Sequence, residues 1–159
     1  MPLQQTLSAA DHARACAIGR ARYEFSGYAR PEVHRWFPGH ARAIEGSELS
    51  AVCELAVMRW LGQAGWPVVR RTRGRMPPDV VLDDGRVLEV KHNARGVLYA
   101  RPAPLVVPDL YVLAEASRLT TSVTLHAWAT REVVARWGEV LPRAPSGDWA
   151  IPAHRLTSL

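Results

Sequence analysis

Two short apolar runs, PDVVLD at 78–83 and GRVLEVK at 85–91, meet at Asp84-Gly85. An Asp-Gly pair between apolar segments marks a two-residue hairpin turn, because glycine and aspartate tolerate the positive φ that such a turn requires. The chain is therefore committed to an antiparallel strand pair at its centre. A lone hairpin is marginal in water, so its apolar side must be covered by another element.

The candidate cover lies just upstream. From Ser47 to Gly65, residues Leu49, Cys53, Ala56, Val57, Trp60 and Ala64 recur at steps of three and four, which predicts a helix. It is apolar around much of its circumference, as expected of a helix packed on a sheet and on a further element. Glu54 stands out within it. Further upstream, Ser8 can cap a helix through DHARACAIGRARYEF, and Pro31 suits the first turn of a short helix PEVHRWF that Pro38-Gly39 ends. After the Gly65-Trp66-Pro67 break, WPVVRRT reads as a strand ahead of the hairpin. Beyond it, VLYA, LYVLAE and VTLHAWA read as strands, Thr130 as the cap of a helix REVVARWG with Glu132 in its first turn, and Asp148–Ile151 as a closing strand. This order implies an α/β domain with a mixed sheet flanked by helices.

At 159 residues, 48% of them apolar, the chain fits one domain with a sizeable core. No repeat or linker divides it. Neither a signal peptide nor a run of roughly 20 apolar residues is present, so a soluble, cytoplasmic protein is expected, with no membrane partner. Cys16 and Cys53 lack neighbours at ligand spacing and read as small core residues, and no histidine pair has metal-site spacing in a helix. The net charge of +5 and pI near 9.9 favour polyanions, although many basic proteins bind no nucleic acid. Of the 20 basic residues, Lys91 is the sole lysine. Arginine serves everywhere else.

Glu89 and Lys91 are two apart on the second hairpin strand and so emerge from one face, while Asp79 begins the partner strand. A solvated Glu-Lys pair would be ordinary surface, worth ~0–1 kcal/mol. The apolar neighbours Val87, Leu88 and Val90, the lone lysine and the acid opposite favour a chemical role. Phosphodiester hydrolysis brings a nucleophile to an anionic centre that gains charge in the transition state. Two carboxylates offer hard oxygen ligands for Mg²⁺ or Mn²⁺, and a compact ammonium can position the attacking water or stabilise the developing charge.

These residues resemble the PD-(D/E)XK nuclease superfamily: Pro78-Asp79, then Glu89-Val90-Lys91 nine residues on, preceded by a helix carrying Glu54. The match spans about Ser47 to Ala129, and the general appearance is also similar to small nucleases of phages and prophages. The resemblance implies a restriction-endonuclease-like core, with one nuclease-like domain over 1–159 divided into an N-terminal helical extension (1–46) and a catalytic core (47–159). It implies Mg²⁺- or Mn²⁺-dependent endonucleolytic hydrolysis of DNA, with Asp79, Glu89, Lys91 and Glu54 catalytic. The metal would be held by Asp79, Glu89, the Val90 carbonyl and Glu54. Glu48 and Glu45 are alternatives for the helical acid.

Arg70, Arg71, Arg73 and Arg75 precede Asp79 and are candidates to grip flanking phosphates, as are His92, Asn93, Arg95, Tyr99 and Arg101 after the catalytic strand. The six tryptophans read as core or interface residues. A homodimer would pair two active sites on opposite strands, but no apolar stripe identifies its interface. The competing functions are a nucleic-acid-binding module of the same fold without turnover, and a basic structural protein whose motif is accidental.

Overall fold

The computed structural model describes residues 2–25, 40–68, 78–104 and 106–158. The helix expected over PEVHRWF, and Arg70, Arg71, Arg73 and Arg75, lie outside these residues.

Strand β1 (Leu3–Thr6) leads into helix α1 (Ala9–Phe25). Ser8 caps α1 as expected: its Oγ accepts the Asp11 N–H at 3.0 Å, satisfying a first-turn donor that has no helical acceptor. Helix α2 runs from His40 to Trp60. It thus begins earlier and ends sooner than its apolar periodicity suggested, and the 46/47 division falls inside it. Ser47 does not cap it; the Ser47 hydroxyl donates instead to the Gly19 carbonyl of α1 at 2.7 Å. The helix stops at a turn with Gly62 at φ +74°, and Arg59 donates to the freed carbonyls of Gln63 and Gly65. Every residue from Ala51 to Met58 is buried, the mark of a helix covered all round.

Gly19 sets the approach of α1 to α2. A Cβ there would lie 2.3 Å from the Ser47 carbonyl oxygen and 2.5 Å from Glu48 Cα. Only glycine lets the two backbones meet this closely.

Seven further strands follow: β2 (Val80–Val81), β3 (Val87–His92), β4 (Val97–Ala100), β5 (Leu110–Glu115), β6 (Ser122–Thr130), β7 (Trp149–Pro152) and β8 (Thr157–Ser158), with helix α3 (Arg131–Val140) after β6. The main sheet has the order β1-β6-β5-β3-β2, with β8 also on β6. It is mixed as expected: β3 and β5 are parallel and the other pairs antiparallel. The hairpin forms at the expected place with a three-residue loop instead of two. Leu82 N–H donates to Arg86 O at 2.9 Å, and Gly85 takes φ +85°. Its first strand is only Val80–Val81, and Trp66–Val68 is irregular where a strand was expected.

The sheet is covered on both faces. Leu88, Val90, Val112 and Ala114 pack with α2, whereas Tyr111 and Leu113 on the other face pack with β4, β7 and α3. Burial on both sides explains the unbroken apolar run of β5. A bulge at His126 lets β6 serve both cores: Leu125 pairs with Ala114 on the α2 face and Ala127 with Leu113 on the other. VLYA is a strand, yet it pairs with β7 in a separate two-stranded sheet laid over the main one. Thr130 occupies the cap position of α3 without a side-chain cap bond. The Glu132 carboxylate serves that end, taking its own backbone N–H and the Thr130 hydroxyl, which hold its pKa below the usual value.

Candidate active site

Among the described residues, the short β2 leaves the far half of β3 without an edge partner, and the site occupies that gap. Val80 is paired with Leu88, so continued register would set Pro78 opposite Val90. Proline has no N–H to give and ends the ladder. The next side chain substitutes: Asp79 Oδ2 accepts the Val90 N–H at 2.8 Å. Within a strand, the N–H and C=O of one residue point the same way. The Val90 carbonyl therefore faces the edge where the Asp79 carboxylate sits, and Pro78 cannot satisfy it.

Glu89 and Lys91 emerge together on the face shared with Tyr111 and Leu113, as their spacing required, and form an ion pair with partial exposure of 26% and 34%. Glu54 comes from α2 on the opposite face, with only 3% of its surface exposed. Asp79 feels both. Burial first, then the negative charges of Glu54 and Glu89, push its pKa up to about 7, against the opposing pull of the Val90 hydrogen bond and Lys91. Asp79, Glu54, Glu89 and Lys91 are therefore one electrostatic cluster at the β3 edge.

The surroundings of Glu54 differ from the expectation of a free ligand. Arg22 of α1 donates Nη1 to Oε1 and Nη2 to Oε2, each at 2.6 Å, so both carboxylate oxygens are taken. Arg22 also donates its Nε to the Val68 carbonyl. Burial raises the Glu54 pKa, and Arg22 and Lys91 oppose that rise. Burial also works against the Arg22 charge, but the bonds to Glu54 outweigh it and hold the guanidinium pKa high. Arg22 is the residue that sequence reasoning missed. Its partner lies across two helices, and nothing in its own neighbourhood distinguishes it from the other arginines.

Glu48, the reserve candidate, is also buried but is held by Arg20 and Arg118, away from Asp79. Of the expected nucleic-acid contacts, His92 turns toward α2, its Nδ1 3.6 Å from Cys53 Sγ, with its pKa lowered chiefly by burial. Asn93 accepts the Arg95 N–H at 2.6 Å and shapes the turn into β4. Arg95, Tyr99 and Arg101 are exposed. Cys53 is fully buried, whereas Cys16 is half-buried near His12. Trp60 is 38% exposed, unlike a core residue, and Trp66 lies beneath the guanidinium of Arg14 at 3.9 Å.

Among the described residues, no three His, Cys, Asp or Glu side chains are already arranged to hold a metal ion. The donor chemistry nevertheless suits a hard divalent cation: Asp79, Glu89 and the Val90 carbonyl are oxygen donors at one edge. A cation beside Asp79 would also offset the burial and the like-charge crowding that raise its pKa. Comparison with protein-family models, with curated proteins and with solved structures finds no match for this chain. Among the described residues, no helix is long and apolar enough to cross a membrane.

Proposed function

We propose that the protein is a metal-dependent deoxyribonuclease of PD-(D/E)XK type that hydrolyses DNA phosphodiester bonds at the β3 edge. The observation that carries this reading is the convergence on Asp79: a carboxylate anchored by the Val90 N–H, crowded by Glu54 and Glu89, with the chain's sole lysine alongside.

Asp79, Glu89 and the Val90 carbonyl would hold Mg²⁺ or Mn²⁺, which when bound lowers the pKa of attached water and neutralises phosphate charge. Lys91 has the protein's own part in the chemistry. Its ammonium, which lies beside Glu89, would either position the attacking water or neutralise charge on the phosphoryl oxygens. In the balanced step water oxygen bonds to phosphorus, one P–O bond to a sugar breaks, and the water proton passes through solvent to the leaving oxygen. Exposed Arg95 and Arg101 supply positive charge for flanking phosphates. The chain's net charge of +5 works in the same direction. A DNA-binding module without turnover is the second reading, favoured by the pairing of Glu54 with Arg22 and of Glu89 with Lys91.

The test is incubation with supercoiled plasmid, single-stranded DNA and a branched junction in Mg²⁺, Mn²⁺ or EDTA. Metal-dependent cleavage should fall by about 10²–10³ in Lys91→Ala and vanish in Asp79→Ala, with the circular dichroism spectrum of both variants unchanged. Cleavage retained by either variant overturns the nuclease assignment. Salt-sensitive DNA binding without cleavage would establish the second reading.

A further inference from the structure

Among the described residues, three acids and two cations meet at the β3 edge, and they are not shared evenly. Glu89 is paired with Lys91, and both groups are partly exposed, so this pair can exchange partners with solvent or substrate. Glu54 and Arg22 are 3% and 12% exposed, and the guanidinium fork meets both carboxylate oxygens at 2.6 Å. Bidentate geometry of this kind is strong as well as specific. Opening it would strand a buried carboxylate and a buried guanidinium, which proteins avoid. The remaining Arg22 donor, Nε, is engaged by the Val68 carbonyl, so the fork is held from both ends. Asp79 alone of the three acids takes part in no ion pair among the described residues; its bond is to a backbone N–H.

Resting on the nuclease reading above, the geometry points to Arg22 as a built-in second cation of the site. It holds Glu54 in a bidentate ion pair and out of direct coordination, so that the site takes one divalent ion, on Asp79 and Glu89, where an unpaired third carboxylate would invite two. Arg22 is on this account a positioning residue: it touches neither metal nor substrate, but it fixes how much negative charge faces them. A site with one unpaired acid also attracts a divalent ion less strongly than one with three, since affinity follows the number of ligand charges.

The experiment is titration of the full-length chain with Mn²⁺ without DNA, following free ion by electron paramagnetic resonance and the heat of binding by calorimetry. The wild type should bind one Mn²⁺ per chain. Asp79→Asn should abolish that binding, because the one unpaired carboxylate is lost, whereas Glu54→Gln should still bind one ion per chain. Arg22→Met, which exposes the Glu54 charge, should raise the stoichiometry from one ion to two, and Arg22→Lys should restore it to one. Two ions in the wild type, or complete loss of the ion in Glu54→Gln, would make Glu54 a direct ligand and overturn the inference. If Arg22→Met does not fold, the Glu54→Gln result decides alone. Lys91-dependent cleavage alongside two bound ions would refute the role of Arg22 and leave the nuclease reading intact. No Mn²⁺ binding by any form would overturn both.

Discussion

Helix α2 buries two glutamates, and their surroundings could hardly be more different. Glu48 has 2% of its side chain exposed and is gripped by Arg20 at 2.8 Å and by Arg118, whose side chains are 58% and 45% exposed. Two cations answer one acid there, and both carry the charge outward to water. Among the described residues Glu54 has one cation, Arg22, which is itself largely buried, and shares its neighbourhood with Asp79. The Glu48 end has surplus positive charge and reads as a tie joining α1, α2 and the connection between β5 and β6. Among the same residues the Glu54 end is short of positive charge, and the shortfall falls on Asp79. A buried acid on a helix thus says little by itself; the balance of charge around it separates a structural tie from a candidate site.

The strongest challenge to this contrast is a change that disturbs both ends together. Gly19 precedes Arg20 and lies one turn or less from Arg22, at the point where α1 touches α2. A methyl group at 2.3 Å from a backbone carbonyl cannot be absorbed by a side-chain rotation. Gly19→Ala should therefore push the helices apart, costing about 3 kcal/mol or more, and should loosen both arginine clamps. Chemical denaturation would give the stability change. A cost below about 1 kcal/mol would mean that the helices pack less rigidly than the contact implies.

Protonation tests the Glu54 end alone. Asp79 ionises near 3.8 in an unfolded chain but near 7 in the folded one. Between those values folding takes up a proton, so stability is greatest below about pH 4 and declines as pH rises through about 7. The Glu54 pKa is also raised, so its contribution has the same sign. Asp79→Asn, whose amide oxygen can still accept the Val90 N–H, should remove most of this decline. Its stability relative to wild type should improve by about 2–4 kcal/mol between pH 5 and pH 8, read from urea unfolding at the two values. Parallel pH profiles for the two proteins would show that Asp79 is not crowded by charge.

How much of this was legible in the sequence follows from the range of the interactions involved. The turn at Asp84-Gly85, the shared face of Glu89 and Lys91, and the all-round burial of α2 are set by spacing within one or two elements, and spacing is what a sequence displays. Strand β1 and strand β8 were missed because they are short, and β1 is largely polar and exposed. Their strand state comes from pairing with β6. The same holds for β4, a strand by composition whose partner is β7 at the far end of the chain. At the site, Asp79 was placed at a strand start, but its bond to the Val90 N–H depends on the early end of β2. The Arg22–Glu54 fork joins two helices through a contact that only Gly19 permits. Among many arginines, no local pattern selects Arg20 for Glu48 and Arg22 for Glu54.

The smallest effect, and the one that best separates the two ends, is expected from Glu48→Gln. Removing this charge leaves Arg20 and Arg118 without their acid, but both are half-exposed and water can take its place. The buried glutamine loses the two-sided clamp while retaining one carbonyl acceptor for it. The melting temperature should therefore fall by only about 3–6 °C, with no change in the Mn²⁺ stoichiometry, because the charge lost lies outside the Asp79 cluster. DNA cleavage per folded molecule should likewise be unchanged. Were Glu48→Gln to alter metal binding, the two glutamates would belong to one network running along α2, and the line between structural tie and candidate site would have to be redrawn to include Arg118 and Arg20.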